Sequence, residues 1–155
     1  MIEVRLLREA ELELADSALP LHRLGGAGEY LVAWEGKTPV GHAYVAWAET
    51  ELGVPELQDV YVLPARRREG IATALTGAVE QLVVERGHDR CSLSVGEGNE
   101  AARRLYERLG YADAGLAPKR VRGTILLRGE PFEVDDTLLY LVKRLAVDFA
   151  PSRSS

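Results

Sequence analysis

The chain is short of the groups on which metal sites, disulfide scaffolds and covalent catalysis depend. Cys91 is its single cysteine, so no disulfide framework and no cysteine metal cluster is expected. It lies in RCSLSV, which has the apolar pattern of a buried strand, and reads as an inert core thiol rather than a nucleophile. The three histidines, His22, His42 and His88, stand apart without ligand spacing, which argues against a metal site. No apolar run approaches the roughly 18–20 residues that span a bilayer, so no membrane partner is expected. The opening MIEVRLLREAELEL carries acids where a secretory signal would be basic and then apolar, so the cytoplasm is the expected compartment. Positive charge is in deficit as well: 19 Lys and Arg against 24 Asp and Glu leave a net charge of −5. That balance argues against nucleic acid as a partner and tilts faintly toward cationic ligands. Nucleotide loops are missing too, with no Gly-x-x-x-x-Gly-Lys-Ser/Thr and no Gly-x-Gly-x-x-Gly after a strand.

What is present suits a globular protein, with 46% hydrophobic and 28% charged residues in 155. Length predicts a single domain over 1–155, with a polar tail from about residue 146. Alternation predicts a strand over Ile2–Leu7. Arg8 to Leu24 is helix-like, with Leu12, Ala15, Leu19 and Leu21 on one side, and Pro20 should shorten it. YLVAWEGKTPVGHAYVAWAE reads as two strands about a turn at Glu35-Gly36-Lys37, and Glu56 to Leu63 as a central strand. Gly70 to Arg86 is a strongly periodic helix burying Ile71, Leu75, Ala78, Val79, Leu82 and Val83, with Gly87 as its C-cap. Arg90 to Val95 is the next strand, and NEAARRLYERLG a helix capped by Asn99, with Gly110 just past its end. Tyr111–Ala117 and Asp136–Leu145 close the pattern as strands, with VRGTILLRGEPFEV between them as an extra hairpin. The order predicts an α+β, mixed-sheet fold rather than a regular βαβ array.

One stretch resists a purely structural reading. In PARRREGIATAL, three arginines run into Gly-Ile-Ala at a helix start, where positive charge opposes the helix dipole. The amides from about Arg68 to Thr73 lack intrahelical partners there, and Gly70 and Ala72 leave the backbone accessible. Such a site suits phosphate, each charge-assisted bond contributing about 1.5–3 kcal/mol. The alternative is a solvated loop with a small-residue cap.

Two motifs in order decide between these readings. Arg-x-x-Gly-x-Ala, at Arg67, Gly70 and Ala72, follows a strand ending VYVLP. Asn-x-x-Ala-x-x-Leu-Tyr-x-x-x-Gly-Tyr, at Asn99, Ala102, Leu105, Tyr106, Gly110 and Tyr111, follows the next strand. Together, over about Glu56 to Tyr111, they closely resemble the GNAT superfamily of acyl-CoA-dependent N-acetyltransferases; the upstream GKTPVGHAYV hairpin also fits. The resemblance implies a central mixed, mostly antiparallel sheet of six to seven strands, splayed between the fourth and fifth and flanked by helices.

It also implies roles. Arg67, Arg68, Glu69, Gly70, Ile71, Ala72 and Thr73 would receive the pyrophosphate of acetyl-CoA, the cosubstrate, through their main chain. Val60, Tyr61 and Val62 would pair with the pantetheine arm, Asn99 would touch that arm, and Ala102 would leave room for it. Tyr106 would sit near the thioester sulfur as catalytic acid, although the residue also reads as a core aromatic at helical spacing. The acceptor amine, with pKa near ~10, is about one part in a thousand neutral at pH 7, a penalty of roughly 4 kcal/mol. A carboxylate near it would help remove the proton. Glu56 holds the matching place for that base. Some members carry a glutamate five residues before the motif asparagine, where this chain has Ser94, and Asp59, Glu97, Asp135 and Asp136 are further candidates. Asp135 and Asp136 also read simply as turn residues entering the last strand.

Members of the family commonly wall the acceptor groove with two helices between the first two strands. This chain has room for one helix, or one and a fragment. Its groove is therefore either open or completed by the Val121–Val134 insert or by the second subunit of a homodimer. The expected activity is transfer of acetyl from acetyl-CoA to an amine by direct attack in a ternary complex, with no metal. The alternative is a non-catalytic acyl-CoA-binding or regulatory module on the same fold.

Overall fold

The computed structural model describes residues 1–146, and the polar tail expected from about residue 146 lies outside them. The chain forms β1 (Ile2–Leu6), α1 (Leu12–Ala18), β2 (Glu29–Glu35), β3 (Thr38–Ala46), β4 (Glu56–Val62), α2 (Ile71–Glu85), β5 (Arg90–Gly96), α3 (Glu100–Arg108), β6 (Ala112–Asp113), β7 (Lys119–Leu127) and β8 (Glu130–Arg144). All strands share one sheet in the order β1-β2-β3-β4-β5-β8-β6, with β7 paired to β8. Every pairing is antiparallel except β4 with β5. This is the expected mixed, mostly antiparallel sheet, with the insert hairpin adding to its strand count.

The splay also appears where expected. β4 and β5 pair only at Glu56 and Ser92. Beyond that point β4 is bent by an irregularity: Asp59 takes φ +50°, and the register with β3 shifts between His42 and Tyr44. A bulge of this kind re-aims the strand and frees its backbone from the neighbour.

Two stretches differ from the sequence reading. The strand expected over Tyr111–Ala117 shrinks to β6, because Gly115 turns with φ +84° and its N–H is captured by Asp113 Oδ1 at 2.7 Å. β8 starts six residues early, because β7 pairs with it from Glu130 onward. Asp135 and Asp136 therefore sit inside a strand and not at its entry.

The core forms on both faces of the sheet. Ile71, Leu75, Val79, Leu82 and Val83 of α2 are buried as their spacing predicts, with Thr76 added and Ala78 only half-buried. Each aliphatic buried this way contributes about 1.5–3 kcal/mol. On the other face α1 stops two residues before Pro20, and Ala15, Leu19 and Leu21 pack with Val32 and Trp34. Leu12, expected on that side, opens the helix at the surface.

Candidate active site

α2 begins without a side-chain cap. Gly70 precedes it at φ +81°, a conformation glycine adopts without steric cost, and Arg68 before it is also left-handed at φ +68°. The first α2 amide past the cap to reach a carbonyl is Ala74, at 3.0 Å from Gly70 O. A Cβ on Gly70 would meet nothing within 4 Å, so the ground over these amides is open. Successive amides in such a left-handed turn form an anion-binding concavity.

A cavity of about 470 Å³ lies over them, lined by Val60, Tyr61, Val62, Arg67, Arg68, Gly70, Ile71, Ala72, Thr73, Ala102 and Tyr106 of the expected set. Arg66 and Leu105 also line it. Glu69 does not; its carboxylate binds Arg66, which also reaches Glu35 at 2.7 Å. The arginine triplet is therefore not a uniform positive cluster. Arg67 donates from Nε to Val62 O at 2.9 Å and lies over the Tyr61 ring, and neither it nor Arg68 makes an ion pair among the described residues.

On the other side of the splay is a second cavity of about 380 Å³. It holds Glu56, Asn99 and Ser94, and it shares Val60, Ala102 and Tyr106 with the first. Those three residues form the neck between the cavities. Asn99 Oδ1 also accepts the Ala102 N–H at 3.2 Å, so helix capping and cavity lining coincide in one side chain. Tyr106 is 9% exposed and its ring meets Tyr111 edge-on. Burial pushes its phenol pKa up, so it stays protonated at neutral pH.

Of the candidate acids, Glu56 and Asp59 line the second cavity. Glu56 is buried and accepts from Gln58 Nε2. Asp59 accepts the Tyr30 hydroxyl and lies 4.0 Å from His42 Nδ1. Asp135 is bound by Arg120, Asp136 accepts the Thr137 N–H, and neither they nor Glu97 line either cavity. Cys91 is fully buried, and burial pushes its thiol to about 11, which keeps it from acting as a thiolate. Among the described residues no three His, Cys, Asp or Glu side chains group as a metal site.

The insert lines neither cavity; its Leu126, Leu127 and Arg128 line a neighbouring hollow that also contains Arg23 and Gln58. The tip of the β7–β8 hairpin reaches α1 of the same chain, where Arg128 holds Asp16 at 2.6 Å and 3.0 Å. Arg23, Gln58, Leu138 and Tyr140 also line the second cavity, with Leu57, Leu93, Val95 and Gly96 of the two flanking strands. Sequence reasoning missed all eight. Gln58 carried a signal through its position between Glu56 and Asp59. Tyr140 needs the register that sets it opposite Ser94, and Arg23 sits in a glycine-rich loop with no pattern around it.

The chain is similar to known proteins in the same terms. Over 70 residues it is 36% identical to a mycothiol acetyltransferase of Clavibacter sepedonicus, covering 45% of this chain and 23% of that one. Over 96 residues it is 30% identical to the uncharacterized N-acetyltransferase YjgM of Escherichia coli strain K12, covering 62% of this chain and 58% of that one. The matched stretch thus spans less than two thirds of either relative. Its fold is that of a GNAT family acetyltransferase from Elizabethkingia anophelis with acetyl-CoA bound, at TM-score 0.68 and 18% identity, covering 93% of this chain and 98% of that one. Residues 4–111 match the acetyltransferase (GNAT) family, reaching from β1 through both motifs, and the chain belongs to that family.

Proposed function

We propose that the protein transfers an acetyl group from acetyl-CoA to a primary amine by direct attack within a ternary complex. The observation that carries this is the meeting of two cavities at Val60, Ala102 and Tyr106, one floored by uncapped helix amides and the other lined by carboxylates. The α2 amides and the Arg67 and Arg68 heads hold the pyrophosphate. The backbone edge of Val60 to Val62 that faces β5, unpaired with that strand, takes the pantetheine arm as an added strand would, which brings the thioester to the neck. Glu69 contributes to that set only its main chain, since its carboxylate is engaged by Arg66.

The chemistry balances with two side chains. Glu56, directly or through a water, takes the ammonium proton, the neutral nitrogen then bonds to the thioester carbonyl carbon, and the excess N–H proton of the adduct passes to water. The C–S bond breaks with its electron pair on sulfur, and the Tyr106 phenol gives that sulfur a proton. Exchange with water restores both residues. The buried, protonated thiol of Cys91 supports direct attack over a covalent acetyl-enzyme, and a free thiol suits a cytoplasmic setting.

The test is calorimetric titration with coenzyme A together with thiol release from acetyl-CoA across a panel of amines. Binding with turnover is expected. Binding without turnover on any amine would instead make the chain an acyl-CoA-binding module, and no binding would sink both readings.

A further inference from the structure

The second cavity contains one cation that acetyl transfer does not use, Arg23. Among the described residues it forms no ion pair, and its Nε is buried without a hydrogen-bond partner. Arg128 and Lys119, which do not line this cavity, are paired with Asp16 and, at 2.9 Å, with Glu51. Arg23 shares its cavity with two carboxylates and yet pairs with neither.

Arg23 is also held in place. Its backbone N–H donates to Tyr30 Oη at 2.8 Å, and that hydroxyl donates to Asp59. Tyr30 is itself buried at 5% exposure. One core phenol therefore ties the loop carrying Arg23 to an acid on β4, and both ends of this tie line the same cavity. A desolvated guanidinium donor without an acceptor is costly, and its planar fork matches a carboxylate through two parallel bonds.

Resting on the acetyl-transfer reading, we propose that the acceptor is a small amine that also bears a carboxylate, an amino acid, and that Arg23 binds its carboxylate. Glu56 and Asp59 in the same cavity suit the ammonium end, so the lining carries both signs that a zwitterion needs. A volume of about 380 Å³ suits a small molecule. The net charge of −5 points toward purely cationic amines, but it is a property of the whole chain. Exposed charges beyond about 10 Å are screened at ordinary salt, so the charges of both signs at the site decide.

The experiment compares three forms of each acceptor: an α-amino acid, its amide and its decarboxylated amine. The amide lowers the amine pKa and the decarboxylated form raises it, so together they bracket the change in nucleophilicity. The wild-type protein is expected to favour the carboxylated form in kcat/KM by about 10- to 100-fold, mostly through KM. Arg23→Gln should collapse that ratio toward one, Arg23→Lys should restore part of it, and coenzyme A binding reports that both variants are folded. Turnover of all three forms without preference, or a ratio unmoved by Arg23→Gln, overturns the assignment while leaving acetyl transfer standing. No thiol release with any amine overturns the transfer reading and this one with it.

Discussion

Replacing Tyr106 by Phe isolates one atom of the proposed mechanism. The ring is 9% exposed, touches both cavities and meets Tyr111 edge-on with centroids 5.9 Å apart, all of which Phe retains. Stability should therefore change by no more than about 1 kcal/mol. What is lost is the proton for the departing sulfur. A positioned general acid contributes about 10²–10⁴-fold, so kcat should fall by that factor, equivalent to about 2.7–5.4 kcal/mol of barrier. Coenzyme A affinity should stay within a few-fold, since the proposed seat of the pyrophosphate is at the α2 amides and not at the Tyr106 hydroxyl. The pH profile adds a second readout. Burial raises the Tyr106 pKa above its ordinary 10.0, so the wild-type rate should show no loss of this acid until the pH passes 10. The assay is steady-state thiol release across pH with coenzyme A titration alongside. A kcat within twofold of wild type would remove Tyr106 from the mechanism and return it to the core.

Glu56→Gln keeps an acceptor for Gln58 but cannot take a proton. Its kcat/KM should drop at neutral pH and recover as pH approaches the amine pKa, where solution supplies neutral amine; a profile parallel to wild type would dismiss Glu56 as the base. Gly70→Val forces a branched residue into φ +81°, costing about 1–2 kcal/mol, and covers the open ground above the amides. Coenzyme A affinity should fall at least about tenfold by the loss of charge-assisted bonds, and an unchanged Kd would place the pyrophosphate elsewhere. His42 is fully buried, and burial lowers its pKa below the ordinary 6.5, partly opposed by Asp59. Because the folded state resists protonation, this contribution to stability is complete above pH 6.5 and is lost as pH falls below it. The melting temperature should decline between pH 6.5 and 5, with a shallower slope in His42→Leu; identical slopes would contradict the assignment.

Much of this protein was readable along the chain because its signals are local. The period of Ile71, Leu75, Val79 and Val83 needs only a helix facing a sheet, and all four are buried. Gly70 and Asn99 mark helix starts through their own conformation and side chain, and both helix starts border the two cavities. Pro20 ended α1 in advance because its ring cannot continue a helix. Spacing alone could not say which arginine of the triplet is free. Arg66 is drawn away by Glu35, thirty-one residues earlier, and that depends on how β2 lies beside the loop. Nor could it choose among the acids, because Asp135 and Glu56 differ in what the sheet brings next to them.

The sequence by itself determined the family, the sheet type and the place where α2 offers its amides, since each rests on residues close together in the chain. Only the tertiary structure decided that the β7–β8 hairpin meets α1 through Arg128 and Asp16, that Tyr140 faces Ser94, and that Arg23 shares a cavity with Asp59 while forming no ion pair among the described residues. The physical reason is that charge pairing and cavity shape depend on distances between segments far apart in sequence, and no local pattern encodes those distances.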